Sequence, residues 1–404
     1  MTIVFQVGSV NISGGTYVIF EHATRIKKLG YDVYILTEEK VIENDIKWHT
    51  DAHVLKYIIY EEIENYKFDI AISTWWKTVF LLHLVTADRY IYFVQSIESK
   101  FYPESEKALR QLVESTYTLN LPIVTEATWI KDYLEEYYFS NVQLVHNGIR
   151  KDLYSMSVKP IESKLKNGLR VLVEGPLGIP FKNVEKTIEL CSKSDANEVW
   201  LLTSSPISKY ENIDKVFSQV PINKVASIYR SCDVVVKLSY VEGMFGPPLE
   251  MFHCGGTAIV YDVTGHDEYI VDNVNAFVIK CDDEESVIEA INKLSIDKDL
   301  LTKLKKNAAK TADAWIDWDT STKLFLKSLE DVMQSDNKIN RKILGMLTKF
   351  HEQSYVIAET SVKRKVLYEK IRLFKIKIKD KFPDIYLLTK RVYYKIFKQP
   401  FKRY

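Results

Sequence analysis

The chain has 404 residues, 46% of them hydrophobic, with 55 Lys+Arg against 54 Asp+Glu. That length fits two domains; the apolar share excludes wholesale disorder, and 14 glycines without a repeat exclude a collagen-like chain. The balanced charge hides an asymmetry: residues 338–404 hold 19 Lys/Arg and 5 Asp/Glu, a net +14, and the rest holds 36 and 49, a net −13.

Taken in chain order, short apolar runs alternate with amphipathic ones. Ile3–Val7 reads as a buried strand, Ser13-Gly-Gly15 as a turn, and Thr16–Leu29 as a helix stopped by Gly30. Asp32–Leu36, Ile70–Ser73, Tyr90–Val94, Pro122–Thr125 and Val142–Val145 follow as strands. A polar stretch, Met156–Gly168, reads as a linker. The rhythm restarts with a strand at Leu169–Glu174, a helix at Val184–Ser192, and strands at Glu198–Leu202, Val234–Leu238, Thr257–Tyr261 and Ala276–Ile279. This β-α-β alternation predicts parallel sheets covered on both faces. The pattern is helical from Asp283 to Gln334. In the tail, Leu367, Ile371, Phe374 and Ile378 and then Ile385, Leu388, Val392 and Ile396 mark two basic amphipathic helices broken at Pro383.

The expected organisation is therefore an α/β chain of two facing, doubly wound, Rossmann-like domains. Residues 1–155 form a first α/β domain, 156–168 a linker, 169–315 a second α/β domain, 316–337 a further helix and 338–404 a basic helical tail. Cys191, Cys232, Cys254 and Cys281 form no C-x-x-C pair, so neither a disulfide framework nor a thiolate zinc site is expected, and a reducing compartment fits. Met1–Val7 shows no signal-peptide pattern. The most apolar window, Thr78–Val94, is broken by His83, Asp88 and Arg89, so no spanning helix is expected.

Three segments carry chemistry. Tyr240-Val-Glu-Gly-Met-Phe-Gly-Pro-Pro-Leu-Glu-Met251 places Glu242 in a loop and Glu250 in what reads as a first helical turn. Gly243 and Gly246 permit a tight loop, and Pro247 and Pro248 suit a helix start. Free N–H groups at such a helix end attract an anion, and the two carboxylates suit sugar or ribose hydroxyls. The same pair could instead be solvated loop and cap residues. Val173–Asn183 follows a strand and brings Lys182 to a helix N-terminus, where its ammonium approaches a diphosphate; the bland reading is a surface lysine in a turn. Ile12-Ser-Gly-Gly15 follows the first strand and suits either a phosphate or an ordinary tight turn.

In these motifs the chain resembles a family-4 glycosyltransferase of the GT-B fold. The residues that carry the resemblance are Gly14-Gly15, His146-Asn-Gly-Ile149, Lys182-Asn183, Tyr229-Arg-Ser-Cys-Asp233, Glu242-x7-Glu250, Gly265–Ile270 and Asn275–Ile279, spanning residues 2–333. Ile12–Gly15 with Phe20-Glu-His-Ala23, Gln95-Ser-Ile-Glu98 with Phe101-Tyr-Pro103, and Pro247–Met251 look most like rhamnosyltransferases of bacterial surface polysaccharides. The resemblance implies retaining transfer of a sugar from a nucleotide diphosphate, with dTDP-rhamnose the best guess, and with neither metal nor cofactor. It also implies that the first domain, 1–155, is the acceptor side, that the second, 169–315, binds the nucleotide sugar, and that the helix 316–337 crosses back to the first domain. It implies Glu242 on donor-sugar hydroxyls, Glu250 on the ribose and Lys182 on the diphosphate. The amides of Phe245, Gly246, Gly14 and Gly15 would lie on phosphate oxygens, and His266 is a further donor-side candidate. Where many members carry a second cation, an Arg, this chain has Pro176; Arg230 and Lys237 are the candidate replacements.

No carboxylate stands out as a covalent nucleophile, so the expectation is a same-face reaction in which the leaving phosphate takes the acceptor proton. Trp75, Trp76 and Tyr102 offer faces for an acceptor sugar, and Gln95 and Glu98 offer hydrogen bonds; core packing of the tryptophans is the alternative. His22, alone on its helix, reads as structural. The tail fits an anionic membrane surface better than nucleic acid, which suits a lipid-linked or glycan acceptor and a cytoplasmic chain lying on the inner face of the plasma membrane. A solvated appendage packed on the second domain is the bland reading. Two rival functions remain: a nucleotide-sugar epimerase on the same fold, and a non-enzymatic membrane-bound scaffold.

Overall fold

The computed structural model describes residues 1–381 apart from Phe139 and Asn337, and for residues 362–369 and 371–381 it gives the helical backbone alone. The first domain runs β1 (Thr2–Gln6), α1 (Gly14–Lys28), β2 (Asp32–Thr37), α2 (Glu43–Ile46), β3 (Lys56–Ile59), β4 (Phe68–Ser73) and α3 (Trp76–Leu81). It continues with β5 (Ala87–Val94), α4 (Lys107–Ser115), β6 (Ile123–Thr125), α5 (Thr128–Tyr138) and β7 (Val142–Leu144). The second runs β8 (Arg170–Glu174), α6 (Val184–Ser192), β9 (Glu198–Thr203), β10 (Lys215–Ser218), α7 (Ile222–Ser231) and β11 (Val234–Lys237). It ends with α8 (Gly246–His253), β12 (Thr257–Tyr261), β13 (Phe277–Ile279), α9 (Glu284–Ile296) and α10 (Lys298–Ala314). Two further helices follow, α11 (Trp318–Gln334) and α12 (Arg341–Lys381).

The strands make two parallel sheets, ordered β3-β2-β1-β4-β5-β6-β7 and β10-β9-β8-β11-β12-β13. Each order reverses direction once, between β1 and β4 and between β8 and β11. Outside the carboxyl ends of those strands the connecting loops diverge and leave a crevice. Valines 234, 235 and 236 of β11 are wholly buried, as a strand covered by helices on both faces requires. The α/β reading of two doubly wound, Rossmann-like domains is thus the architecture found. The half-exposed edge strands β3 and β10 are additions to the expected set.

Helix α1 starts where Ser13 Oγ accepts the Thr16 N–H at 3.1 Å, and Arg25, Lys27 and Lys28 place positive charge at its carboxyl end. Helix α11 crosses from the second domain to lie on α1. His22 stacks on Phe325 with centroids 4.3 Å apart and meets Thr322 Oγ1 at 3.2 Å. Burial drives the His22 imidazole down to about 3, so it serves as a neutral core group. The crossing is tight at Gly148, where a Cβ would come within 2.3 Å of the Trp318 nitrogen.

Several finer expectations change. The helical run 283–334 is three helices, restarted where Asp297 and Asp317 accept the N–H groups of Leu300 and Thr320. The polar stretch 156–168 is fastened to the second domain: Ile161 N–H donates to Ser227 O at 3.2 Å and Lys215 pairs with Glu162. The tail begins as one long helix, α12, and its first turns lie on the first domain, not the second. Leu344 and Thr348 are buried there, Gly345 sits against the His83 ring, and Arg341 Nε donates to His83 O at 2.8 Å. Burying one leucine contributes roughly 2 kcal/mol to that contact. Ile385, Leu388, Val392 and Ile396, and the break at Pro383, lie outside the described residues, as do the side chains of Leu367, Ile371, Phe374 and Ile378. Among the described residues no helix is long and apolar enough to cross a membrane.

Candidate functional site

The mouth of the second sheet is built from two loops locked together. After β8, Gly175 takes φ +142°, and a Cβ there would lie 2.8 Å from Val184 of α6. The turn Pro180–Lys182 follows, and Asn183, at φ 54°, donates its side-chain amide to Leu238 O at 3.0 Å. Tyr240 N–H donates back to Phe181 O at 2.8 Å. The loop after β11 is thereby held against the loop after β8, and Lys182 faces Glu242.

A line of alternating charge results. Lys182 Nζ lies 2.8 Å from Glu242 Oε2. Lys237 Nζ lies 3.7 Å from Glu242 Oε1 and 2.6 Å from Glu174 Oε2. Burial alone would push the Glu242 carboxyl up, but the two ammonium groups outweigh it and hold it below its ordinary value. Burial likewise works against charge on Lys237, and Glu174 and Glu242 together raise its pKa. Among the described residues Glu242 Oε1 has no hydrogen-bond partner, so one oxygen of a buried carboxylate is left to accept from a ligand.

Glu250 lies in the second turn of α8, not the first, because the helix starts at Gly246. Burial, with Glu174 nearby, lifts its carboxyl to about 8, against hydrogen bonds from Tyr229 and Tyr154. Phe245 is the N-cap of α8, and open space surrounds the Gly246 Cα on its side-chain side. Gly14 at the start of α1 is equally open, and a Cβ on Gly15 would sit 3.4 Å from Gln95 Oε1. Gln95 also presents its carbonyl to Gly243, so it links the amino end of α1 to the Glu242 loop. His266 spends Nδ1 on Val263 O at 2.6 Å, which leaves Nε2 for a ligand.

The first-sheet residues divide. Trp76 is 6% exposed and packs with Phe80, Leu112 and Val113, while its indole N–H donates to Tyr102 Oη at 3.2 Å. Buried in this way, with the Lys77 ammonium 5.5 Å over its ring, it is corrected from the stacking role expected for it to packing. Glu98 is corrected too: it accepts the Trp76 main-chain N–H at 2.8 Å and the Tyr92 hydroxyl at 3.2 Å. Burial lifts its carboxyl to about 8. Trp75 and Tyr102 are half-buried, and Gln95 Oε1 has no hydrogen-bond partner among the described residues. Of the two candidate second cations, Arg230 donates to Cys254 O and Val158 O, away from the mouth; Lys237 stands inside it.

Sequence reasoning missed Glu174, the last residue of β8, and Glu126, which reaches in from the first domain. Glu126 Oε1 accepts Met244 N–H at 3.0 Å and Oε2 accepts Asn147 Nδ2 at 2.8 Å; burial lifts this carboxyl to about 7. Each stands at a strand end, the one signal available. Phe101 and Phe181 stack across the gap with centroids 4.5 Å apart.

Residues 202–311 match the family model described as glycosyl transferases group 1. An uncharacterized glycosyltransferase of Methanocaldococcus jannaschii is 22% identical over 354 residues, 74% of this chain and 90% of that protein. Sucrose-phosphate synthase from Thermosynechococcus elongatus superposes with a TM-score of 0.67 at 15% identity, over 82% of this chain and 99% of that one. The Anabaena protein HepE, solved in complex with UDP-glucose, gives 0.66 at 13% identity, over 82% and 100%. The chain therefore has the GT-B architecture, and its second half carries a group 1 glycosyltransferase match; together these support sugar transfer from a nucleotide-sugar donor.

Proposed function

We propose that this chain is a retaining, metal-independent hexosyltransferase that moves a sugar from a nucleotide diphosphate to a glycan or lipid-linked glycan. Its preferred donor is dTDP-rhamnose and its product a surface polysaccharide. The observation that carries the reading is the Glu174–Lys237–Glu242–Lys182 line at the β8/β11 crevice, beside the amino end of α8.

In this reading the acceptor hydroxyl attacks the anomeric carbon from the face the diphosphate leaves. The carbon–oxygen bond to the diphosphate breaks, its electron pair passes to the phosphate oxygen, and that oxygen takes the acceptor proton. Charge builds on the leaving group, and a preorganised donor aimed at it is worth ~3 kcal/mol. Lys182 and the amides of Phe245, Gly246, Gly14 and Gly15 are those donors. When Lys182 turns to the diphosphate, Glu242 keeps Lys237 as its countercharge and stays ionised to accept donor-sugar hydroxyls. Glu250 takes the ribose, His266 Nε2 the donor sugar, and Trp75, Tyr102 and Gln95 line the acceptor side. The exposed apolar residues Ile343, Met346, Phe350 and Ile357 of α12, within the basic segment 338–404, support peripheral seating on an anionic membrane at the inner face of the plasma membrane.

The test is a thermal-shift panel of nucleotide sugars, including dTDP-rhamnose and UDP-glucose, run in excess chelator and followed by NMR of the product anomer. Stabilisation by a sugar nucleotide and a product keeping the donor's anomeric configuration are expected. Metal-dependent binding, an inverted product, or epimer formation without acceptor would overturn it.

A further inference from the structure

The first domain grips the loop that carries Glu242. Gly243 marks the closest approach: a Cβ there would lie 2.1 Å from the Gln95 carbonyl oxygen and 2.7 Å from Glu126 Oε1. Glu126 is 4% exposed, and its two oxygens take the Met244 N–H from one domain and the Asn147 side-chain amide from its own. Trp129 Nε1 donates to Gly243 O at 3.0 Å. The neighbouring loop of the second domain is held as well. Glu268 accepts the Thr128 N–H, the first of α5, and the Thr128 hydroxyl at 3.0 Å, and pairs with His146 Nε2 at 2.9 Å. A carboxylate of one domain thus caps a helix of the other. A Cβ on Gly265 would meet Gly243 O at 2.0 Å, so the two gripped loops also rest on each other.

We infer that Glu126 is a positioning residue that couples closure of the two domains to the catalytic geometry of the donor loop. It acts through the Met244 N–H: when the domains separate, the acceptor for that N–H is withdrawn, and the segment between Glu242 and the amino end of α8 loses its fixed course. When they close, Glu126 sets that course, and with it the direction of the Glu242 carboxylate and of the Phe245 and Gly246 amides. The inference rests on the donor-site reading proposed above. What the latch requires is an acceptor at Met244, not a charge. Among the described residues Asn147 Oδ1 has no partner, so the Asn147 amide can turn over and accept from the side chain of Glu126→Gln, whose own carbonyl still receives the Met244 N–H.

The experiment compares full-length wild type with Glu126→Gln, Glu126→Leu and Gly243→Ala, the last wedging the domains apart from the opposite side. Small-angle scattering without ligand reads closure, and steady-state kinetics with the best nucleotide sugar reads function. Glu126→Leu and Gly243→Ala should enlarge the radius of gyration, lower kcat about tenfold or more and raise donor KM, because the Glu242 carboxylate and the Phe245 and Gly246 amides that hold the donor lose their fixed course. Glu126→Gln should restore all three. Wild-type scattering and kcat in Glu126→Leu, or Glu126→Gln as impaired as Glu126→Leu, would overturn the latch. If wild type turns over no nucleotide sugar while Glu126→Leu still expands, the transfer reading fails and the latch stands.

Discussion

The mouths of the two sheets share one topology and differ in chemistry. At the second, Glu174, Lys237, Glu242 and Lys182 alternate in sign, and each buried charge has an opposite neighbour within 4 Å. At the first, Gln6, Ser73 and Gln95 present amides and a hydroxyl, and no ion pair of the kind found at the second stands among these described residues. A parallel sheet supplies a crevice in both cases, and the side chains at the strand ends decide what it holds. The charged mouth suits a diphosphate, whose arrival exchanges one countercharge for another. The neutral mouth suits hydroxyl-rich ligands, which need hydrogen bonds and no charge compensation.

The largest expected effect comes from breaking the charged side. Lys182→Ala should lower kcat roughly 100-fold or more, the loss of ~3 kcal/mol of charge stabilisation, and a matched change on the neutral side, Gln95→Ala, should cost far less. Initial rates with the preferred donor check this, and equal losses would erase the distinction.

Next comes Trp76→Ala, which should lower unfolding stability by about 3–5 kcal/mol through the cavity it leaves while donor KM stays unchanged. Denaturant unfolding and donor titration separate the two, and an acceptor-specific rise in KM without lost stability would return Trp76 to the binding surface.

Smaller effects sharpen the comparison through pH. Burial holds Glu98 at about 8 against an ordinary 4.5, so its folded pKa is raised. Its contribution to stability is full below about pH 4.5 and is lost as pH rises through about 8. Glu98→Gln should flatten that part of the Tm-against-pH curve. Glu250 also sits at about 8, and it accepts a ribose hydroxyl best when ionised. Donor KM should therefore fall as pH rises from 7 to 9, and Glu250→Gln should remove the slope.

Much of the second mouth is legible in the sequence because three kinds of signal coincide there. The valines of β11 mark a buried strand, Gly243 and Gly246 mark a close loop, and the proline pair marks a helix start. The first mouth misleads because an aromatic pair and a carboxyl after a strand look the same whether they face a ligand or the core; only the packing of Phe80, Leu112 and Val113 decides for Trp76. Edge strands β3 and β10 are short and half-exposed: Tyr57-Ile-Ile-Tyr60 is only a brief apolar run, and Val216-Phe217 is too short to announce a strand. Lys237 is a weak candidate until its strand is known to lie beside β8, where its ammonium comes within 3.7 Å of the site a Gly175 Cβ would occupy. Glu126 carries no local motif, and its partner Met244 lies 118 residues away.

A crystal structure with an unhydrolysed nucleotide sugar, grown in chelator, tests the central claim most directly. The account predicts the diphosphate within hydrogen-bond reach of Lys182 and of the Phe245 and Gly246 amides, with the hexose hydroxyls on Glu242. A diphosphate bound elsewhere, or Lys182 still paired to Glu242 with the ligand in place, would contradict it.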